Sequence, residues 1–375
     1  MKKRWLALTV LLVALAAAGV SFGQVAGQAF WLYCTGSAPS RDCTEAAPPT
    51  TTVVQTVTNT ITHTVAGPTT TVYVSRRVLW GLSPAPAPVH HGTNTKEEEA
   101  EYLEARIGRK FDATRHYLQG PTSTWTGNGE LQATVAEGRI PVFSFRSGSW
   151  TWSQVANGAA DTALRARFNE LLDASNPLWR QAIIGFENEP EAETGTNGTP
   201  AQYRAAYEHI IHVAHSMGVP NKWTTFLMEY TWQKSSGRDP EAWIPNGITY
   251  LGVHGYATRV GQTDCGVDNW RSFYDVFDAP HATAAAHGLR MLIGELAQHD
   301  DYVTPDPDRK ADWFRAIPSD LERLPLIDVI LYWHSGGSEG PNPGSCAYDH
   351  SFRIDSTAKA LQGYVDAGHA AILGG

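Results

Sequence analysis

The sequence predicts a (β/α)8 barrel, and three observations carry the prediction. From Val78 onward eight short apolar runs alternate with segments that carry helix signals. The alternation fills roughly 300 residues, a length that suits one such barrel. No glycine-rich phosphate turn follows the first run, as it would in a doubly wound nucleotide-binding sheet.

The expected strands are Val78–Leu82, Phe111–Tyr117, Ile140–Phe145, Ala182–Phe186, Lys222–Met228, Ile248–His254, Arg290–Gly294 and Val329–Trp333. Most are brief and apolar, the pattern of parallel strands covered on both faces. Between them, Thr95 and Glu98 form a capping box, Ala100, Leu103 and Ile107 share one helical face, and Gly108 closes the segment. Thr199-Pro200-Ala201-Gln202 starts a second clear helix, with a stripe of Tyr203, Tyr207, Ile210, Ile211 and Ala214 before Gly218 and Pro220. Helices are also expected over Asp161–Ala174, Asn269–His287, Arg309–Leu324 and Ser356–Ala367, with shorter pieces after the second and fifth strands.

Ahead of the barrel the composition changes twice. Lys2-Lys3-Arg4 followed by the apolar run Trp5 to Val20 reads as an export signal over residues 1–24, either cleaved or kept as a membrane anchor through residues 5–22. Residues 25–75 read as a Cys-containing, Thr/Val-rich stalk, with Pro48-Pro49 opening the tract and Gly67-Pro68 near its end. The alternative is a β-prone segment lying on the barrel, which would occupy residues 76–375. The expected location is extracellular, secreted or anchored to the outer face of the cell membrane. Four cysteines suit an oxidising compartment, and the simplest of three pairings is Cys34–Cys43 with Cys265–Cys346.

The chain of 375 residues is 42 % hydrophobic and 18 % charged, which is globular, and its net charge of −9 disfavours nucleic acid as a partner. Thirteen Trp suit a bulky core or platforms for sugar rings.

In a barrel of this kind reactive groups sit where strands end and loops begin. Those positions hold Arg115, His116 and Tyr117 after the second strand, Arg146, Trp150 and Trp152 after the third, and Glu187, Asn188 and Glu189 after the fourth. Glu229, Tyr230 and Trp232 follow the fifth, His254 and Tyr256 the sixth, Glu295 the seventh, and Trp333 and His334 the eighth. Carboxylates at the ends of strands four and seven face each other across the mouth. Glycoside hydrolysis needs such a pair, one to protonate the leaving oxygen and one to meet the anomeric carbon, about 5–5.5 Å apart when configuration is retained. Glu189 is the expected acid/base and Glu295 the nucleophile, whose charge would raise the acid's pKa. Strand alternation puts Glu187 on the face of Glu189, which makes Glu187 the rival acid/base and points Asn188 away. His254 is either a core or a site histidine, and Trp150 and Trp152 read as sugar platforms.

The run Phe186-Glu187-Asn188-Glu189-Pro190 resembles the Asn-Glu-Pro signature of a clan of retaining (β/α)8 glycoside hydrolases, and Ile293-Gly294-Glu295 resembles that clan's nucleophile strand. Thr199 to Trp333 is further similar to the mannanase and lichenase family numbered 26, which carries Arg and His where this chain has Gly185 and Asn188. The resemblance implies that Asn188 binds a sugar 2-OH, that Tyr256 holds the Glu295 carboxylate and Arg115 keeps it ionised, and that Trp333 floors the reacting sugar. It implies a retaining endo-β-glycanase acting on mannan or β-glucan, with polysaccharide or oligosaccharide as partner and no cofactor.

No catalytic metal is expected, because the first strand lacks the His-x-His that metal-dependent barrel hydrolases need, although His90-His91 and His299-Asp300-Asp301 supply ligand types. The alternatives are a non-catalytic carbohydrate-binding barrel and an exo-acting β-glycosidase.

Overall fold

The computed structural model describes residues 20–25, 28–35 and 42–43, and then residues 76–374 except 89, 258–269, 299–307 and 336–351. The chain divides into two units, Met1–Val57 and Thr58–Gly375. In the first unit, strands Val20–Val25 and Gln28–Thr35 pair antiparallel, and Asp42–Cys43 adds to the second of them with Cys34 opposite Cys43. Residues 1–19 of the expected leader, the Thr/Val-rich tract and both Cys265 and Cys346 lie outside the described residues.

In the second unit all eight expected strands are present: β1 (Leu79–Pro84), β2 (Ala113–Leu118), β3 (Ile140–Phe145), β4 (Ile183–Phe186), β5 (Lys222–Thr224), β6 (Tyr250–Tyr256), β7 (Arg290–Ala297) and β8 (Ile327–His334). They pair in parallel in chain order, and β8 closes on β1 from Val329 opposite Leu79 to His334 opposite Pro84. The residue before β1 also meets the final 3-10 turn, Val78 N–H donating to Ile372 O at 2.8 Å.

The helical layer is α1 (Lys96–Ile107), α2 (Gly129–Ala136), α3 (Trp152–Ala156), α4 (Asp161–Asp173), α5 (Pro200–Ser216), α6 (Phe273–Ala286), α7 (Arg309–Arg323) and α8 (Ala358–Gly368). The expected capping box of Thr95 with Glu98 forms, Thr199 with Gln202 makes a second, and Gly108 ends α1 in the left-handed region. After β5 the helix is replaced by three short 3-10 turns, Glu229–Trp232, Lys234–Ser236 and Pro240–Trp243.

Strand five is broken for a reason that bears on the site. The Thr225 hydroxyl accepts from Gly252 N (3.1 Å) and donates to Gly252 O (3.2 Å), taking over the ladder bonds, and a Cβ at 252 would lie 1.8 Å from Thr225 O. Leu227–Met228 then rejoins β6. The break turns the Phe226 ring into the barrel interior, where it packs with Ala113, Val142, Ile183 and Leu292. Two glycines make the room: a Cβ on Gly185 would meet that ring at 2.3 Å, and one on Gly294 at 2.5 Å. Phe226 is therefore the floor under the strand ends.

Candidate active site

Strand β4 stops at Phe186, and the next three residues shape the site. Glu187 (φ 62°) and Glu189 (φ 53°) are the two non-glycine residues with positive φ among the described residues. A glutamate in the left-handed region costs about 1–3 kcal/mol and persists only when its surroundings fix it. Here both neighbouring strands do so: Glu187 N–H donates to Phe145 O of β3 (2.8 Å), and Glu189 N–H donates to Phe226 O (2.9 Å).

The double turn sends the three side chains in three directions. Glu187 is buried and accepts from Ser147 N–H (2.9 Å) and the Trp152 indole N–H (3.0 Å). Burial pushes its carboxyl up, against the pull of those two donors. Asn188 Oδ1 accepts from the buried Arg115 guanidinium at 2.9 Å, and Arg115 also bonds Ser144 Oγ at 2.9 Å. Glu189 turns into the mouth. The alternation expected for Glu187 and Glu189 fails because side chains alternate only while the backbone is extended, and the strand has already ended. Glu187 is thus a brace for the β3 loop and loses its claim to the acid/base position.

Trp152 also needs correction. It is the first residue of α3, capped by Thr151, and it is fully buried edge-on to Tyr203 (5.4 Å) and Trp243 (6.2 Å). No face is open to a sugar. Trp150 and Trp333 are partly exposed and remain available, Trp333 standing 5.6 Å edge-on from Tyr256. Glu229 is held by Arg271 (2.8 and 3.0 Å) and Gln233 (2.9 Å), a structural pair that ties the β5 loop to Tyr256 O.

Glu295, on β7, sits between two phenols. Tyr117 O–H donates to Oε1 at 2.6 Å and Tyr256 O–H to Oε2 at 2.5 Å. Burial, together with the Glu295 charge, raises both tyrosine pKa values, so both phenols stay protonated donors. His254 joins the two carboxylates: its Nδ1 lies 3.0 Å from Glu189 Oε1 and 3.4 Å from Glu295 Oε1. One oxygen of each carboxylate and one nitrogen of His254 all lie within 4.8 Å of one another. The ring packs on Phe226, 5.5 Å between centroids, and the Arg115 guanidinium lies 3.7 Å from the Phe226 centroid.

Burial pushes the Glu189 carboxyl up, but the His254 hydrogen bond and the His254 and Arg115 charges outweigh it, leaving Glu189 below its ordinary range. The sequence-based expectation that Glu295 alone would raise it does not allow for the His254 contact. Arg115 is pulled down by burial and held up by Tyr117, Glu295 and Glu189. Behind the turn, buried Glu191 accepts from Met228 N–H (2.8 Å) and Thr231 Oγ1 (2.9 Å), and burial raises its pKa to about 7.

Sequence reasoning brought Glu189, Glu295, Asn188, Arg115, Tyr256 and His254 to one place, and the structure assembles all six. It gave no role to Tyr117, although Arg115 and Tyr117 are two apart on one strand and share a face, and it missed Phe226 and Glu191. Neither of the latter carried a local signal: Phe226 reads as strand core and Glu191 as a loop acid.

The arrangement stands at the mouth of a parallel, closed (β/α)8 barrel, where strands end and loops begin. Among solved structures, XacCel5A is similar at 14 % identity over 78 % of this chain and 99 % of that one, with a TM-score of 0.52. The same protein in complex with cellopentaose gives 14 % identity, 77 % and 98 % coverage and a TM-score of 0.51. The family-26 domain of an endo-β-mannanase/endo-β-glucanase from Prevotella bryantii gives 9 % identity, 79 % and 90 % coverage and 0.48. At such identities the likeness is one of fold. No protein-family model and no curated protein sequence matches the chain.

Proposed function

We propose that the protein is a retaining endo-β-glycanase that hydrolyses O-glycosidic bonds of a β-linked polysaccharide, mannan or β-glucan, by double displacement. The carrying observation is that oxygens of Glu189 and Glu295 approach within 4.8 Å at the ends of β4 and β7. Inverting pairs stand about 6.5–9.5 Å apart to admit a water, whereas retaining pairs are close enough for one carboxylate to bond the sugar.

In this reading Glu295 attacks the anomeric carbon while Glu189 gives its proton to the leaving oxygen, and Glu189 then takes a proton from the water that releases the glycosyl-enzyme. Tyr117 and Tyr256 hold the nucleophile in line, and Arg115 fixes Asn188 for a sugar hydroxyl. Trp333, and Trp150 further out, offer apolar faces to pyranose rings. The presence of both carboxylates speaks against a non-catalytic carbohydrate-binding barrel. Export through the N-terminal segment, with or without retention at the membrane, accords with a polymeric substrate.

The test is direct. Glu295→Gln abolishes turnover on the polysaccharide hydrolysed by the parent, while binding persists. Mapped by peptide mass, a 2-deoxy-2-fluoro glycoside inactivator labels Glu295. Unchanged activity in the variant, or a label on another residue, overturns the reading. A panel of mannan, xylan and β-1,3- and β-1,4-glucans identifies the sugar.

A further inference from the structure

Oε1 of Glu295 is the oxygen on the Glu189 side, because it lies 3.4 Å from the same His254 Nδ1 that contacts Glu189 Oε1 at 3.0 Å. It is the oxygen that meets the anomeric carbon if Glu295 is the nucleophile, so the inference rests on the proposed function. Yet Oε1 already accepts the Tyr117 hydroxyl at 2.6 Å, whereas Tyr256 serves Oε2. A charge-assisted hydrogen bond on the attacking oxygen stabilises the free carboxylate and blunts its nucleophilicity. Once that oxygen is bonded to a sugar it is an ester oxygen and a poor acceptor, so a buried phenol donating to it would be left unsatisfied.

Tyr117 has a second partner. Ser83 Oγ, buried at the end of β1, lies 3.0 Å from the Tyr117 oxygen. The Tyr117 ring is fixed beneath the Arg115 guanidinium, 4.4 Å from its centroid, which leaves the hydroxyl torsion as the free coordinate. We propose that Tyr117 and Ser83 form a hydroxyl hand-over at the nucleophile: Tyr117 donates to Glu295 Oε1 in the free protein and swings its O–H to Ser83 Oγ as Oε1 bonds the sugar. In the free state the serine hydrogen points at the tyrosine oxygen; in the glycosyl-enzyme it turns away and its oxygen accepts. The bond balance is that of ordinary displacement. A lone pair of Oε1 forms the C–O bond, the leaving oxygen departs with the Glu189 proton, and the tyrosine proton never leaves Tyr117.

The hand-over makes the two hydroxyls positioning groups with different signatures. Tyr117→Phe removes the hydroxyl that must be redirected, so adding Ser83→Ala to it slows single-turnover glycosylation no further. Ser83→Ala alone leaves Tyr117 with no alternative acceptor, so the single-turnover glycosylation rate falls about fivefold. Both are measured in the intact chain. A further fall on adding Ser83→Ala to Tyr117→Phe, or a parental glycosylation rate in Ser83→Ala, overturns the hand-over. Ser83→Ala removes a single oxygen and carries the test alone if the tyrosine variant does not accumulate. Inactivation by the fluorinated glycoside separates the two levels: a label on Glu295 with parental kinetics in both variants ends the hand-over only, whereas a label elsewhere ends the proposed function itself.

Discussion

At the scale of single residues, the acid/base candidate is tuned by one contact. In the ligand-free protein Glu189 is held below its ordinary range by His254 despite its burial. A general acid must be protonated, so the basic limb of kcat/KM, which reports the free protein, is expected at acidic pH. That fixes the sign of a perturbation. His254→Phe deletes the donor that favours the ionised form, the Glu189 pKa rises, and the basic limb moves to higher pH. We expect kcat to fall by roughly a factor of ten to a hundred at the same time, as the acid loses its orienting partner. A basic limb that stays in place or moves down would separate His254 from Glu189.

Residue-scale legibility was uneven. Asn188 and Glu189 were readable because the tripeptide they form with Pro190 is local. The direction of Glu187 was not, since it depends on a backbone reversal set by carbonyls of β3 and the broken fifth strand.

At the scale of elements, the floor of the site is one aromatic ring with two glycines beside it. Gly185→Ala puts a methyl 2.3 Å from the Phe226 ring, and the ring in turn supports Arg115 and His254. Overpacking of this kind costs about 1–3 kcal/mol. The expected outcome is a lower Cm in urea with loss of activity, and Gly185→Ala combined with Phe226→Leu recovers most of the stability. Additive losses in the double variant would mean that the glycine serves something other than the ring.

A second element-scale device joins the β1–α1 loop to the end of β8. Glu99 Oε1 lies 2.7 Å from His91 Nδ1 and 2.9 Å from His334 Nε2, and its other oxygen accepts from Thr93 Oγ1 at 2.5 Å. His334 Nδ1 accepts from Ile354 N–H (3.1 Å), which puts the ring proton on Nε2, facing Glu99. Glu99 thus ties His91, Thr93 and His334 together. Burial pushes Glu99 up, but the His334 and Thr93 hydrogen bonds win and bring it down to about 2. A depressed carboxylate stabilises the fold above its unfolded pKa, and that contribution is lost as pH falls toward 2. Glu99→Gln should lower Tm by roughly 3 °C at pH 7 and flatten its decline in acid. An equally steep acid decline in the variant would place the acid sensitivity elsewhere.

At the scale of the whole molecule, the barrel closes on itself: β8 pairs with β1, and the residue before β1 is tied to the final 3-10 turn through Val78 and Ile372. The first unit ends at Val57, well before the barrel. A chain starting at Thr58 is therefore expected to keep its activity within about twofold of the full chain, since a unit with its own core folds by itself. Loss of folding on that truncation would show that the barrel depends on the residues ahead of it.

The sequence by itself determined the number of strands, their order and the two carboxylates at the ends of the fourth and seventh, because apolar runs, capping boxes and strand-end acids are properties of neighbours along the chain. Tertiary structure decided where those groups aim. Trp152 went into the core because α3 starts on it and presses it against Tyr203 and Trp243, and Tyr117 reached Glu295 because closure of the sheet brings β2 and β7 to the same mouth. Glu187 and Glu189 parted because the backbone left the extended region at the residue where alternation would have kept them together. Aim depends on contacts between residues tens to hundreds of positions apart, and no local pattern encodes those.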